Sequence, residues 1–261
     1  MTLDQVFARA KSEKRAVLIG YMPAGFPDKE GSKRLIGAMI DGGVDVIEVG
    51  FPYSDPVMDG PVIQQAAEIA LRNSTKASDV FEIVKSSTVP TLVMSYWNPI
   101  ERFGAARFAQ ELASASGVGV ITPDLTVEES QQWIEATNSS GINRVYVVAP
   151  SSSDQRLSMV TGACSGFVYA ASLMGVTGAR TTLSSAASEL VSRLRRLTRL
   201  PIAVGLGVSN PAQASEVAQY ADGVIVGSAF IKLVLESANL DEAIPKVREL
   251  AEQLSAGVRT L

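Results

Sequence analysis

The run VDVIEVG at residues 44–50 belongs to a set of eight short segments that decide the fold of this chain. It is largely apolar and lacks the strict alternation of apolar and polar residues that is typical of a strand with one solvent-exposed face. Strands covered on both faces, as in a parallel sheet surrounded by helices, have this composition. The other seven runs are AVLIGYM from Ala16, TLVMSY from Thr91, GVGVIT from Gly117, RVYVVA from Arg144, FVYAAS from Phe167, PIAVGLG from Pro201 and DGVIVGS from Asp222.

Segments with helical periodicity separate these runs. Thr126 with Glu129 spells a capping box, and Asn210 with Pro211 supplies a cap and a first-turn proline. An additional helix at about Leu3 to Ser12 is predicted to close the floor of a barrel. The segments between the runs are SKRLIGAMIDGG, AARFAQELASASG, VEESQQWIEATNSSG, SSAASELVSRLRRLTR and NPAQASEVAQYADG.

Eight strand–helix units in 261 residues predict a single (β/α)₈ barrel, the TIM barrel, as one domain over residues 1–261. The doubly wound open sheet is the rival architecture, since it also alternates strand and helix. Eight regular units filling this length favour closure of the sheet.

The amino-acid composition excludes several classes of function. The net charge of −4 removes the basis for strong nucleic-acid binding, and the absence of histidine excludes Ser-His and Cys-His nucleophiles and histidine-ligated metals. Cys164 is the single cysteine, which forbids an internal disulfide. Because no segment resembles a signal peptide or a membrane span, we expect a soluble, cytoplasmic protein.

The active site of such a barrel is expected at the carboxyl ends of its strands. Three of the last loops are rich in glycine: GVTGA at 175–179, GLGVSN at 205–210 and VGSAF at 226–230. Gly227 and Ser228 would open a helix, whose N-terminal amides favour a phosphate. The alternative is that these glycines only make tight turns.

Carboxylates lie both within the second strand and in the loop after it. Glu48 interrupts an apolar strand, where partial desolvation would raise its pKa and suit it to proton transfer. The alternative is a glutamate buried against an arginine or a lysine. The next loop carries Asp55 and Asp59, which could supply a second carboxylate or lie in a solvent-exposed turn. A magnesium or calcium site would lack further oxygen ligands nearby, so no metal is predicted.

The segment IEVGFPYSDPVMDGPVIQ from Ile47 resembles the signature loop of the tryptophan synthase alpha chain family. The motifs GYMPAGFPD, SYWNP, TPDLTVEES, GVTGA and GLGVSNP follow in that family's order and spacing. The resemblance implies retro-aldol-like cleavage of indole-3-glycerol phosphate to indole and glyceraldehyde 3-phosphate. It also implies an alpha2-beta2 heterotetramer in which a beta chain holds pyridoxal phosphate, with no cofactor in this chain.

The resemblance further implies roles for single residues. Glu48 matches the acid/base residue and Asp59 the acceptor of the indole N–H, while Asp55 is assigned to the partner interface. The substrate-binding residues implied are Tyr21, Tyr169, Thr177, Gly178, Gly207, Gly227 and Ser228. Three positions depart from the family pattern and leave partner affinity and loop closure open: Phe26, Thr126 and Leu173.

Two other functions stay open at this stage. The chain could be a non-catalytic regulatory subunit that binds the phosphorylated ligand, or another phosphate-binding barrel such as an aldolase or a sugar-phosphate isomerase.

Overall fold

The computed structural model of the chain describes residues 1–171, 182–205 and 207–259. Eight parallel strands in the order β1 to β8 form a closed barrel, so the predicted TIM barrel is confirmed and the open sheet is excluded. Strand β8 closes the ring on β1. The strands are β1 (Val17–Pro23), β2 (Val46–Gly50), β3 (Thr91–Met94), β4 (Gly119–Thr122), β5 (Asn143–Val148), β6 (Val168–Ala171), β7 (Ile202–Gly205) and β8 (Gly223–Val226).

The helices of the described residues lie outside the barrel, apart from the first. Their bounds are α1 (Leu3–Ser12), α2 (Lys29–Asp41), α3 (Pro61–Arg72), α4 (Ala77–Ser86), α5 (Trp97–Phe103), α6 (Ala105–Ser114), α7 (Gln131–Ser140), α8 (Asp154–Ala163), α9 (Thr182–Arg195), α10 (Pro211–Ala218), α11 (Ser228–Leu235) and α12 (Leu240–Gly257). None of these helices combines the length and the apolar composition of a bilayer span.

The strands contribute apolar side chains to two cores, one inside the barrel and one between barrel and helices. In β1, Val17 and Ile19 belong to the cluster inside the barrel, whereas Leu18 belongs to the cluster between barrel and helices. Helix α1 closes the amino-terminal mouth as predicted: Phe7 joins the interior cluster and its ring lies 5.9 Å from that of Phe167. Double burial therefore explains why the strand sequences do not alternate.

The helix caps agree with the sequence in one case and differ in another. The Asn210 side chain accepts a hydrogen bond from the Gln213 N–H at 3.0 Å, and α10 begins at Pro211. The prediction of a capping box at Thr126 was wrong, since the Thr126 side chain makes no cap hydrogen bond and only a short 3₁₀ helix, Val127–Glu129, follows it. Helix α7 begins later, at Gln131, because the intervening turn is tightened into that 3₁₀ segment.

A buried ion pair holds the floor of the barrel near the start of β2. The Arg15 side chain is 3% exposed and donates to both carboxylate oxygens of Asp45, at 2.7 and 2.9 Å. Asp45 also accepts a hydrogen bond from the Leu18 N–H on β1 at 2.9 Å. The Asp45 carboxylate thus connects the start of β2 to β1, and it shares the buried Arg15 guanidinium with Glu13, which pairs with it at 2.6 Å.

We predict that Asp45→Ala lowers the free energy of unfolding by about 2 kcal/mol, because the Leu18 N–H and the buried Arg15 guanidinium lose a shared acceptor while the ion pair of Arg15 with Glu13 remains. Urea unfolding followed by circular dichroism measures this loss. Arg72→Ala is the matched control, since the Arg72–Glu68 pair is exposed and its loss should cost below about 0.5 kcal/mol. An equal effect of both substitutions would contradict the prediction.

Candidate active site

Glu48 lies in the middle of β2 with its side chain in the barrel interior. It is 1% exposed, and its Oε1 atom is buried without a hydrogen-bond partner. No arginine or lysine in the described part of the chain forms an ion pair with it, which removes the alternative of a structural salt bridge. Burial alone raises the pKa of Glu48 to about 8. The carboxyl group is therefore mainly protonated at neutral pH.

Asp59 lies in the loop between β2 and α3. Burial raises the pKa of Asp59, while a hydrogen bond with the Tyr96 hydroxyl opposes that rise. The Gln64 side chain donates to the Asp59 carbonyl oxygen at 2.8 Å, which fastens the loop to the first turns of α3. A second carboxylate is thus held at the cavity in a different environment from Glu48.

Two tyrosines flank the carboxylates, and each one leans over a glycine of the next strand. A methyl group on Gly50 would lie 2.2 Å from the Tyr21 hydroxyl, and one on Gly205 would lie 2.2 Å from the Tyr169 hydroxyl. Tyr21 is also the register partner of Glu48, so both side chains leave adjacent strands on the same side. The glycines make room for both rings at the carboxyl ends of the strands.

The same cavity reaches the end of β8. Gly227 precedes α11 and provides no side-chain cap, so the amides at the start of this helix are open to a ligand. Gly207 has a φ of +106°, a conformation that favours glycine, and it too lines the cavity.

The cavity has a volume of about 300 Å³ and brings most of the predicted site residues together. Acid groups, aromatic rings and an open helix N-terminus therefore share one space. Its lining within the described ranges consists of Tyr21, Glu48, Met58, Asp59, Gly60, Pro61, Val62, Ile63, Met94, Pro123, Val147, Tyr169, Gly207, Val208, Ile225, Gly227 and Ser228.

The lining holds no lysine or arginine in the part of the chain that the structure describes. Groups of three or more histidine, cysteine, aspartate or glutamate side chains that could hold a metal ion are also absent from that part. Within that part, the groups available to an anion are backbone amides and the Ser228 hydroxyl.

The remaining predicted residues lie elsewhere. Asp55 is exposed, accepts a hydrogen bond from the Ser54 hydroxyl at 2.6 Å and does not line the cavity. Phe26 is 1% exposed and packs in the core between barrel and helices, so it is no surface contact. Thr126 is exposed. Thr177, Gly178 and Leu173 lie outside the described residues.

Sequence reasoning missed Tyr96. It lies in the motif SYWNP, directly before α5, and its hydroxyl contacts the loop that carries Asp59. The position after a strand was a usable signal, but nothing in the sequence distinguishes this tyrosine from one that packs. Met94 and Val147, which form apolar walls of the cavity, were missed for the same reason.

Comparison with known proteins gives one consistent family. The family described as "Tryptophan synthase alpha chain" matches residues 7–259. The tryptophan synthase alpha chain of Thermobifida fusca is 56% identical, over 98% of this chain and 97% of the relative. That of Mycobacteroides abscessus is 51% identical, over 98% and 97%.

Solved structures agree with the sequence relatives. A chain of Mycobacterium tuberculosis tryptophan synthase superposes with a TM-score of 0.92 at 47% identity, covering 98% of both chains. The tryptophan synthase subunit alpha of Legionella pneumophila superposes with a TM-score of 0.90 at 29% identity, covering 100% of both. Because the match spans almost every residue in both sequence and fold, this chain belongs to the tryptophan synthase alpha chain family.

Proposed function

We propose that this chain cleaves indole-3-glycerol phosphate to indole and glyceraldehyde 3-phosphate, with Glu48 as acid and base and Asp59 as the acceptor of the indole N–H. The observation that carries the proposal is the buried Glu48 carboxyl, whose Oε1 atom has no hydrogen-bond partner and which shares one cavity with Asp59 and the start of α11. A buried acid without a hydrogen-bond partner costs stability, and such costs are concentrated at functional sites.

Glu48 supplies both proton transfers. With a pKa of about 8 it enters the reaction protonated and gives its proton to C3 of the indole ring. The resulting carboxylate then takes the proton of the glyceryl hydroxyl beside the bond that breaks. The electron pair of that carbon–carbon bond returns to the indole ring, the hydroxyl carbon becomes the aldehyde, and Glu48 ends protonated again.

Asp59 has the complementary role. Protonation of C3 places positive charge on the ring nitrogen, and an ionised carboxylate that accepts its N–H stabilises that charge. The Tyr96 hydrogen bond favours the ionised form of Asp59 at neutral pH. Two carboxyl groups with different environments can thus act as a neutral acid and a fixed anion at the same pH.

The phosphate would bind at the end of the cavity formed by Gly207, Gly227 and Ser228. The N-terminal amides of α11 and the helix dipole attract the dianion. Tyr21 connects the two ends, since its ring lies against Gly227 and its hydroxyl against Gly50. We infer that Tyr21 and Tyr169 flank the substrate between the acids and the phosphate, and that Thr177 and Gly178 complete its enclosure.

A non-catalytic regulatory subunit and a different phosphate-binding barrel remain the competing functions. A purely regulatory ligand site would gain nothing from an unpartnered buried acid, which is the observation against it. A panel of indole-3-glycerol phosphate, ketose phosphates and aldol phosphates distinguishes these activities, when indole release, sugar isomerisation and sugar cleavage are each measured. Release of indole without isomerisation or cleavage of the other substrates supports the proposal.

We predict that Glu48→Gln lowers indole release by about 10²- to 10⁴-fold, the range expected when a general acid and base is removed. Binding of glycerol 3-phosphate, followed by calorimetry, should be retained. The control is Glu68→Gln, which changes an exposed carboxyl on α3 and should leave turnover unchanged. Wild-type turnover of Glu48→Gln would overturn the catalytic assignment.

We predict a bell-shaped dependence of kcat/KM on pH. The rate should fall above about pH 8 as Glu48 loses its proton, and on the acid side as Asp59 gains one at a pH above its ordinary pKa. The alkaline limb, measured above pH 7, is free of the ionisation of the substrate phosphate, whose second pKa is about 6. The acid limb is measured as the difference between the wild type and Asp59→Asn on the same substrate, in which the phosphate ionises alike. A rate that keeps rising from pH 8 to 9.5 would contradict the role of protonated Glu48.

The same pKa predicts an effect on stability. The pKa of Glu48 in the folded state lies above its ordinary value of 4.5. The stability that protonated Glu48 contributes to the fold is therefore fully present below pH 4.5 and is lost as the pH rises through 8. Glu48→Gln should therefore raise Tm relative to the wild type at pH 9 and have little effect at pH 4.5. Thermal unfolding at both values measures the difference.

We further propose that the chain works with a tryptophan synthase beta chain in an alpha2-beta2 assembly, and that pyridoxal phosphate belongs to that partner. The exposed loop at 54–58, with Val57 79% and Met58 46% exposed, supports a contact at this end of the barrel. The described lining also lacks the lysine with which proteins form a Schiff base to this cofactor.

We predict that adding a beta chain raises indole production, and that Asp55→Ala raises several-fold the beta-chain concentration needed for half-maximal stimulation. Asp4→Ala is the control, because Asp4 is an exposed aspartate on α1 at the opposite mouth. An unchanged rate with a beta chain would indicate a stand-alone lyase, and equal effects of the two substitutions would remove Asp55 from the interface.

A further inference from the structure

Tyr96 is a buried residue next to the active site that does not line the cavity. It directly follows the β3 region, is 4% exposed, and precedes the first residue of α5. Its hydroxyl accepts a hydrogen bond from the backbone N–H of Met58 at 2.9 Å. A single phenol oxygen therefore holds the backbone of the β2–α3 loop at the residue next to Asp59, and its proximity lowers the pKa of the Asp59 carboxyl against the effect of burial.

The direction of these bonds follows from the groups involved. A phenol hydroxyl has one proton to donate and can accept at its oxygen. Because the Met58 N–H already donates to the oxygen, the proton of Tyr96 is available to the carboxylate of Asp59. Burial and the nearby charge of Asp59 raise the pKa of Tyr96 above its ordinary value, so the hydroxyl keeps its proton at neutral pH and can donate it in a hydrogen bond.

Tyr96 is itself fixed on both sides along the chain. The Ser95 N–H donates to the Ile121 carbonyl on β4 at 3.0 Å, and the Ser95 hydroxyl donates to the Tyr96 carbonyl at 2.9 Å. The Trp97 N–H donates to the Asp124 carboxylate at 2.9 Å. These bonds tie the backbone around Tyr96 to the barrel wall.

The loop that Tyr96 contacts has little packing of its own at this point. Val57 is 79% exposed and Met58 is 46% exposed, so apolar burial does not hold these residues against the barrel. A loop of this kind needs polar contacts to present a side chain in one direction.

We propose that Tyr96 is a positioning residue whose hydroxyl holds the β2–α3 loop so that the Asp59 carboxylate faces the substrate. It acts through Asp59 and does not touch the reacting atoms. The inference rests on the proposed function of Asp59. The same hydrogen bond keeps Asp59 ionised at lower pH than its burial alone would allow.

The test compares Tyr96→Phe with Tyr53→Phe. Tyr96→Phe should lower kcat by about tenfold, since a misplaced group costs rate even when it is chemically intact. It should also move the acid limb of the pH profile to higher pH. The Tyr53 ring lies 5.3 Å from that of Tyr96 without lining the cavity, so removing its hydroxyl should change neither quantity.

A second measurement does not depend on activity. In protein labelled with ¹³C at aspartate carboxyl groups, the Asp59 signal, assigned by its loss in Asp59→Asn, should titrate at a higher pH in Tyr96→Phe than in the wild type. An unchanged titration and an unchanged acid limb would overturn the inference, as would equal effects of Tyr53→Phe.

Asp59→Asn separates this inference from the proposed function. If Asp59→Asn keeps wild-type turnover, the proposed role of Asp59 fails. If Asp59→Asn is impaired while Tyr96→Phe behaves as wild type, only the positioning role fails. When both roles hold, Tyr96→Phe adds no further loss in the Asp59→Asn background, because its effect passes through that carboxylate.

Discussion

The burial of one carboxyl group inside an apolar barrel is the constraint on which the site depends. Glu48 stands on β2 among side chains that offer Oε1 no hydrogen bond, and this desolvation sets its pKa at about 8. The closed barrel makes the constraint possible, because every strand is covered on both faces and little water reaches the inner one.

A neutral Glu48 also affects how the cavity accepts an anion. Within the described residues no lysine or arginine lines the cavity, so the groups that this part of the chain offers to the proposed phosphate are backbone amides and the dipole of α11. Two ionised carboxylates in the same small space would oppose that binding. Protonation of Glu48 removes one of the two negative charges that the described lining can carry, and thus links the proposed proton chemistry to the proposed binding of substrate.

Carboxylates at the two ends of the barrel differ in whether they have hydrogen-bond and ion-pair partners. At the amino-terminal mouth, Asp45 accepts from Arg15 and from the Leu18 N–H, and Asp222 accepts from the Ile202 N–H and pairs with Arg195. Carboxylates there have partners and stabilise the barrel. At the carboxyl-terminal mouth the Oε1 atom of Glu48 has no hydrogen-bond partner, and a neighbouring phenol opposes the effect of burial on the pKa of Asp59, as expected if the proposed function competes with stability.

The sequence by itself determined the eight strands, the helix that closes the floor and the family, because apolar runs, their spacing and a long motif are local properties of the chain. It also singled out Glu48, since a charge inside an apolar strand is visible without coordinates. Only the tertiary structure decided that this acid has no ion-pair partner among the described residues, that Tyr96 reaches the loop of Asp59 from the end of β3, and that Phe26 is buried. These facts depend on contacts between residues far apart in sequence, which barrel closure and strand register create.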